Sequence, residues 1–161
     1  MVKENYQAQI DGKRIAKAMA KNAPVSTKFS VELCHLIRGW PVSKAEALLN
    51  RIVNMEACLP LRIYHKKVGH RKGKGLMAGH YPVFLAKTWL SLINNVKNNA
   101  EEKGLDVDSL VIRHCHAAYG FRRRSMQAKG KIGGKVRRRK STHIEIIVQE
   151  IPGINNKKVK Q

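Results

Sequence analysis

Residues 122–140 hold ten lysines and arginines and no acid, and the run lies between two strand-like segments rather than at a chain end. Before it, residues 110–118 are rich in short apolar and β-branched side chains; after it, Ile144, Ile146 and Val148 alternate with His143, Glu145 and Gln149. The basic residues cannot be core, so the chain must leave the domain and return. Gly130, Gly133 and Gly134 sit near the midpoint, where a hairpin reverses and a positive φ costs glycine least. The pattern predicts a hairpin over about residues 119–142, with its base in a sheet and its arms outside the domain.

Like charges facing each other across two strands repel, so this arm is disfavoured in water and sensible only inside a polyanion. Each neutralised phosphate releases condensed counterions, and arginine grips phosphate oxygens in pairs. The triplets Arg122, Arg123, Arg124 and Arg137, Arg138, Arg139 are therefore candidate nucleic-acid contacts, with Lys129, Lys131, Lys135 and Lys140 beside them. The competing reading of either triplet alone is a disordered basic tail or a nuclear-import signal. Its weakness is position, because this run is held on both sides.

The whole chain agrees. Over 161 residues, 32 Lys and Arg against 11 Asp and Glu give a formal net charge of +21, a self-repulsion that a polyanionic partner would relieve. That length fits one domain over residues 1–161. A membrane span is not expected, since the most apolar stretch, residues 83–93, is interrupted by Lys87 and falls short of the ~20 residues required. Residues 1–11 lack the apolar core of a signal peptide, so a cytosolic or nuclear chain is expected.

Helical periodicity appears three times. Phe29, Leu33, Leu36, Ile37 and Trp40 mark a first helix, with Ser26 or Thr27 as N-cap and Gly39 as stop. Ser43 and Glu46 fit a capping box opening a second helix, with Leu48, Leu49, Ile52 and Val53 on its stripe. Pro82 suits the start of a third, with Leu85, Trp89, Leu92, Ile93 and Val96 on one face until Gly104, a length of over ~30 Å at about 1.5 Å per residue. Residues 60–80 lose this periodicity and form a basic loop, whose Arg62, Lys66, Lys67, Arg71, Lys72 and Lys74 are joined as candidate RNA contacts by His70 and His80.

Catalytic and metal-binding classes find little support. Gly69, Gly73, Lys74 and Gly75 depart from a phosphate-binding loop, which needs four residues between its glycines and Ser or Thr after the lysine. The acids, Glu32 and Glu145 among them, read as solvated or capping groups rather than paired general acids and bases. Cys34, Cys58 and Cys115 form no C-x-x-C pair and read as buried thiols. His114, Cys115 and His116 would alternate faces on a strand, so at most two share a side, short of the four ligands of a structural zinc. No enzyme, cofactor or metal is expected.

Specific strings then point to a family. Lys103-Gly104-Leu105-Asp106-Val107-Asp108-Ser109-Leu110-Val111-Ile112, followed by Arg122-Arg123-Arg124 and His143-Ile144-Glu145, resembles the universal large-subunit ribosomal protein twenty-two family, called seventeen in eukaryotes. Cys58-Leu59-Pro60-Leu61-Arg62-Ile63-Tyr64 with Val68-Gly69, Gly79-His80-Tyr81-Pro82, and Ile37-Arg38-Gly39 resemble its archaeal and eukaryotic branch, and the likeness runs over about residues 26–150. The chain departs from relatives in having Gln127-Ala128-Lys129-Gly130-Lys131 where they carry Arg-Ala-x-Gly-Arg, Leu76 after Gly75 where they carry Trp, and His80 where they carry Arg.

The resemblance implies an α+β fold: three helices packed on a small three-stranded antiparallel sheet, with a long protruding β-hairpin and residues 6–10 as the remaining strand. It implies a structural constituent of the large ribosomal subunit that binds and organises ribosomal RNA. The hairpin tip, comprising Ala128, Lys129, Gly130, Lys131, Ile132, Gly133 and Gly134, would reach the wall of the nascent-peptide exit tunnel. Partners would be large-subunit ribosomal RNA, neighbouring ribosomal proteins and, transiently, the nascent peptide, with no homo-oligomer. The expected location is the cytoplasmic ribosome, with nucleolar assembly in a eukaryote. Two rival classes are an architectural DNA-binding protein, for which dimer-forming helices or minor-groove wedges are wanting, and a small RNA-modifying enzyme, which needs a pocket of convergent polar groups. Sedimentation separates them, since only a ribosomal component stays with the large subunit through high salt.

Overall fold

The computed structural model describes residues 6–10, 12–73, 75–131 and 133–151. In chain order the elements are β1 (Ile15–Ala23), α1 (Thr27–Ile37), α2 (Val42–Val53), β2 (Leu59–Pro60), β3 (Gly79–His80), α3 (Val83–Glu101), β4 (Leu110–Tyr119), β5 (Arg124–Met126), β6 (Val136–Arg138) and β7 (Thr142–Glu150). Three helices and a small antiparallel sheet make the class α+β, as expected.

The sheet runs β1-β7-β4, with the most apolar strand in the middle. Ile144, Ile146 and Val148 of β7 face the helices beside Ala20, Ala18 and Ala16 of β1 and Ala117, Cys115 and Ile112 of β4. The inward positions of β4 change from even to odd because its register slips between Ile112 and His114, a bulge that turns every later side chain over. Against this face lie Leu33 and Ile37 of α1, Leu49 and Ile52 of α2, and Trp89 and Ile93 of α3, all fully buried. Methyl-sized side chains on β1 let the long α3 approach closely.

Both sheet edges are closed, which removes a template for unwanted pairing. On β1, the Asn99 side-chain amide donates to the Lys17 carbonyl and the Lys103 ammonium to that of Ile15, each at 2.9 Å. On β4, Gly39 N–H donates to Ile112 O at 2.8 Å, Ile112 N–H to Trp40 O at 2.9 Å, and the Arg38 guanidinium to Cys115 O at 3.0 Å. Gly39 turns the chain into this position with φ +80°, a value open to glycine at no steric cost.

Three expectations need correction. Residues 6–10 are not a strand: the Gln7 N–H donates to both oxygens of Glu145, at 3.2 and 3.0 Å, across the sheet's outer face. Both edges of β7 are already taken, and the third strand is β1, whose alternating Ala and Lys give a weak strand signal. The capping box does not form, because α2 starts at Val42 behind Pro41 and Ser43 falls inside the first turn. The third helix is 19 residues, about 28 Å. Gly104, at φ +69°, closes it with paired bonds from Gly104 N–H to Glu101 O and Leu105 N–H to Ala100 O, so the helix stops before the glycine.

Cys34, Cys58 and Cys115 are buried free thiols. Cys115 donates to Cys34 O at 3.3 Å, and a hydrogen bond with Cys115 together with burial pushes the Cys34 thiol far above its ordinary range.

Candidate nucleic-acid interface

Strands β5 and β6 pair antiparallel, with Arg124 opposite Arg138, Ser125 opposite Arg137 and Met126 opposite Val136. The ladder extends outward through Gln127 N–H to Lys135 O (3.1 Å) and inward through Arg139 N–H to Arg123 O (3.0 Å). Alternation puts Arg124 and Arg138 on one side, and Arg123, Lys135, Arg137 and Arg139 on the other. Both sides of the arm are thus cationic, and all six of these side chains are exposed. From Gly120 to the tip the reach is roughly 30 Å at about 3.3 Å per residue.

At the tip, Gly134 N–H donates to Gln127 O and Gly133 N–H to Gly130 O, both at 2.8 Å. The positive φ values belong to Gly130 (+92°) and Gly134 (+77°), whereas a Cβ on Gly133 would meet Gly130 O at 3.2 Å. Ala128, Lys129 and Lys131 are exposed here; Ile132, and Lys74 in the other basic loop, lie outside the described residues.

The hairpin is knotted to the sheet at its root. Gly120 N–H bonds Ser141 O at 2.9 Å, and the next pair joins Arg123 to Arg139, so Phe121 and Arg122 on one arm oppose Lys140 alone on the other. This bulge separates the hairpin ladder from the main sheet. Asn22, at φ +54° in the last turn of β1, ties both arms: its side-chain oxygen accepts from Phe121 N–H (3.0 Å) and from the Ser141 hydroxyl (3.1 Å). A Cβ at Gly120 would meet these oxygens at 2.7 Å and 2.5 Å, which is why glycine stands there. Thr142 adds a second tie, donating to Val25 O at 2.9 Å with Thr27 Oγ1 2.7 Å away.

Residues 60–80 approach the root of the arm from the other side. The short β2–β3 ladder pairs Leu59 with His80 and Pro60 with Gly79, and Leu61 N–H donates to Ala78 O at 2.9 Å. What holds the loop is Glu32 of α1, only 3% exposed. Its carboxylate accepts from three consecutive amides, Arg62 (3.1 Å), Ile63 (2.7 Å) and Tyr64 (2.7 Å). The expectation that the acids are solvated or capping fails here, and also at Glu145, which is 6% exposed beside His114 Nε2 (3.2 Å) and His116 Nδ1 (3.7 Å). No signal in the sequence marks either carboxylate as buried, because their partners come from other elements.

The described candidate loop residues Arg62, Lys66, Lys67, His70, Arg71, Lys72 and His80 are all exposed, and two of them also make contacts within the protein. Arg71 is engaged internally, its Nε donating to Gly79 O at 3.2 Å and its guanidinium lying 5.3 Å from the Tyr81 ring. His80 packs on Phe29 with ring centroids 4.9 Å apart. Among the described residues no group of three or more His, Cys, Asp or Glu is arranged to hold a metal ion, and no helix is long and apolar enough to cross a membrane.

Comparison with known proteins matches residues 9–149 to the family described as ribosomal protein L22p/L17e. The chain is similar to the large ribosomal subunit protein uL22 of Ignicoccus hospitalis, 41% identical over 150 residues that cover 89% of this chain and 93% of that protein. It is also similar to the proteins of that name from Methanococcus maripaludis (34% over 153 residues, 93% of this chain and 99% of that one) and Methanoculleus marisnigri (34% over 152 residues, 94% and 99%).

Proposed function

The chain belongs to the ribosomal protein L22p/L17e family, and we propose that it serves as one folding unit in the large ribosomal subunit, where it binds and organises ribosomal RNA. It is a structural ribosomal protein, not an enzyme, and works in translation in the cytoplasm; if its source is eukaryotic, it joins the particle in the nucleolus. The observation that carries the RNA reading is the hairpin with arginine on both sides and no acid along either arm. A cationic surface on one side suits a duplex lying against it; cations on both sides suit an arm enclosed by RNA, each phosphate contact releasing counterions.

The loop cations of residues 60–80, held by Glu32, extend this surface beside the hairpin root. The tip reaches the wall of the nascent-peptide exit tunnel and meets the peptide in passing, while the globular part touches neighbouring ribosomal proteins as a single copy. Sedimentation tests the assembly: tagged chain should remain with large subunits through a high-salt wash, and release into the top fractions would contradict it. For the tunnel, cysteine placed at exposed Ala128 should crosslink to a stalled nascent chain, since the native thiols are buried. Labelling of ribosomal RNA alone would remove the tunnel assignment.

A further inference from the structure

A cleft of about 620 Å³ opens where the first turn of α1, the start of the basic loop and the root of the hairpin converge. Its described lining includes cations from all three elements and no carboxylate: Lys28, Lys66, Arg122, Arg138, Arg139 and Lys140. Charge alone would make this a phosphate surface, but the cleft also shows apolar and aromatic surface to solvent. Tyr119 is 60% exposed and Ile63 54% exposed, with Phe29, Tyr64 and Val68 alongside. The Arg122 guanidinium stands 3.9 Å from the Tyr119 ring centroid and the Lys28 ammonium 5.4 Å from that of Tyr64. An arginine stacked on an open ring extends a flat surface on which a base can continue the stack.

Two further features favour a nucleotide. Helix α1 begins here with no acid in its first turn and no side-chain cap on its amides, leaving the positive end of an 11-residue helix toward an anion. The volume falls in the roughly 300–1,000 Å³ range of small-ligand sites, enough for one splayed nucleotide and far too little for a duplex. We propose that this cleft holds a single unstacked nucleotide of the bound RNA. Its base lies against Tyr64 and Tyr119, and its phosphate on Arg138, Arg139 and Lys140. The inference rests on the RNA-binding reading above and adds that the protein takes hold of a base, not only of backbone.

The test compares the full chain's affinity for pentauridylate with that for an abasic ribose-phosphate oligomer of equal length, each at several salt concentrations. Stacking should make the uridylate bind roughly 10-fold tighter. A Tyr64→Ala, Tyr119→Ala double variant, checked for native circular dichroism, should lose that preference while keeping the salt slope, and Arg138→Ala should weaken both oligomers alike. Ultraviolet crosslinking should place uridine on Tyr64 or Tyr119. Equal binding of the two oligomers by the unaltered chain would overturn the inference and leave the RNA reading standing, as would tighter binding of a phosphopeptide of matched charge. Absence of salt-dependent binding to either oligomer would overturn the RNA reading itself.

Discussion

Replacing Glu32 with Ala removes the one carboxylate that three consecutive loop amides share. Two of those bonds are 2.7 Å long and the acceptor is 3% exposed, so water does not simply take its place. The Arg62 and Ile63 amides belong to exposed residues and can be rehydrated, leaving that of half-buried Tyr64 wanting an acceptor at about 1–3 kcal/mol. We expect a loss of about 2 kcal/mol, a fall in Tm of roughly 6 °C for a chain this size. Glu32→Gln can keep its amide oxygen on Ile63 and Tyr64 and turn its NH₂ group toward the Arg62 amide alone, so it should lose less than half as much. Urea unfolding followed at constant m-value gives the stability, and amide exchange at Arg62, Ile63 and Tyr64 locates the loss. RNA affinity should fall with the salt slope intact, since every cation is still present. Unchanged stability with unchanged exchange at these three amides would refute the claim that Glu32 holds the loop.

Other perturbations separate the arm from the body. Changing Arg137, Arg138 and Arg139 to Ala should lower the log-log salt slope of RNA binding by roughly 2 units if all three meet phosphate, and an unchanged slope would show them facing solvent. Gly134→Val, at φ +77°, should leave the circular dichroism of the isolated protein native yet impair large-subunit profiles on sucrose gradients. Gly133→Val should be the milder of the two, because its backbone lies outside the left-handed region. Asn22→Ala loses both root hydrogen bonds and a residue type suited to φ +54°, so it should destabilise by about 2 kcal/mol and speed exchange at Phe121; Asn22→Asp, which keeps an acceptor there, should be milder.

Periodicity made α1 and α3 legible, because Leu33, Ile37, Trp89 and Ile93 recur on faces that the sheet then buries. The hairpin was legible from an acid-free run held between two strands. Strand β1 was not, since its inward side chains are Ala16, Ala18 and Ala20, and only the open edge of β7 makes those residues a strand. The capping box at Ser43 was a sound local motif overridden by Pro41, whose fixed φ starts the helix two residues earlier. Glu32 and Asn22 were invisible for a common reason: each bonds amides more than 25 residues away, so sequence neighbours carry no trace of the role. Their partners become readable only once the loop and the hairpin root are in place.

The proposed role requires the arm to be enclosed by RNA on both sides. Hydroxyl-radical footprinting of the chain, free and in intact large subunits, with mass-spectrometric readout, measures this directly. Met126 and Val136, 71% and 54% exposed in the free fold, should be modified readily in isolation and protected in the particle, while Phe84 on α3, 60% exposed, serves as the reference outside the arm. Equal modification of Met126 and Val136 in both states would mean that the hairpin lies in solvent, and the RNA-clasping role assigned to it would be wrong.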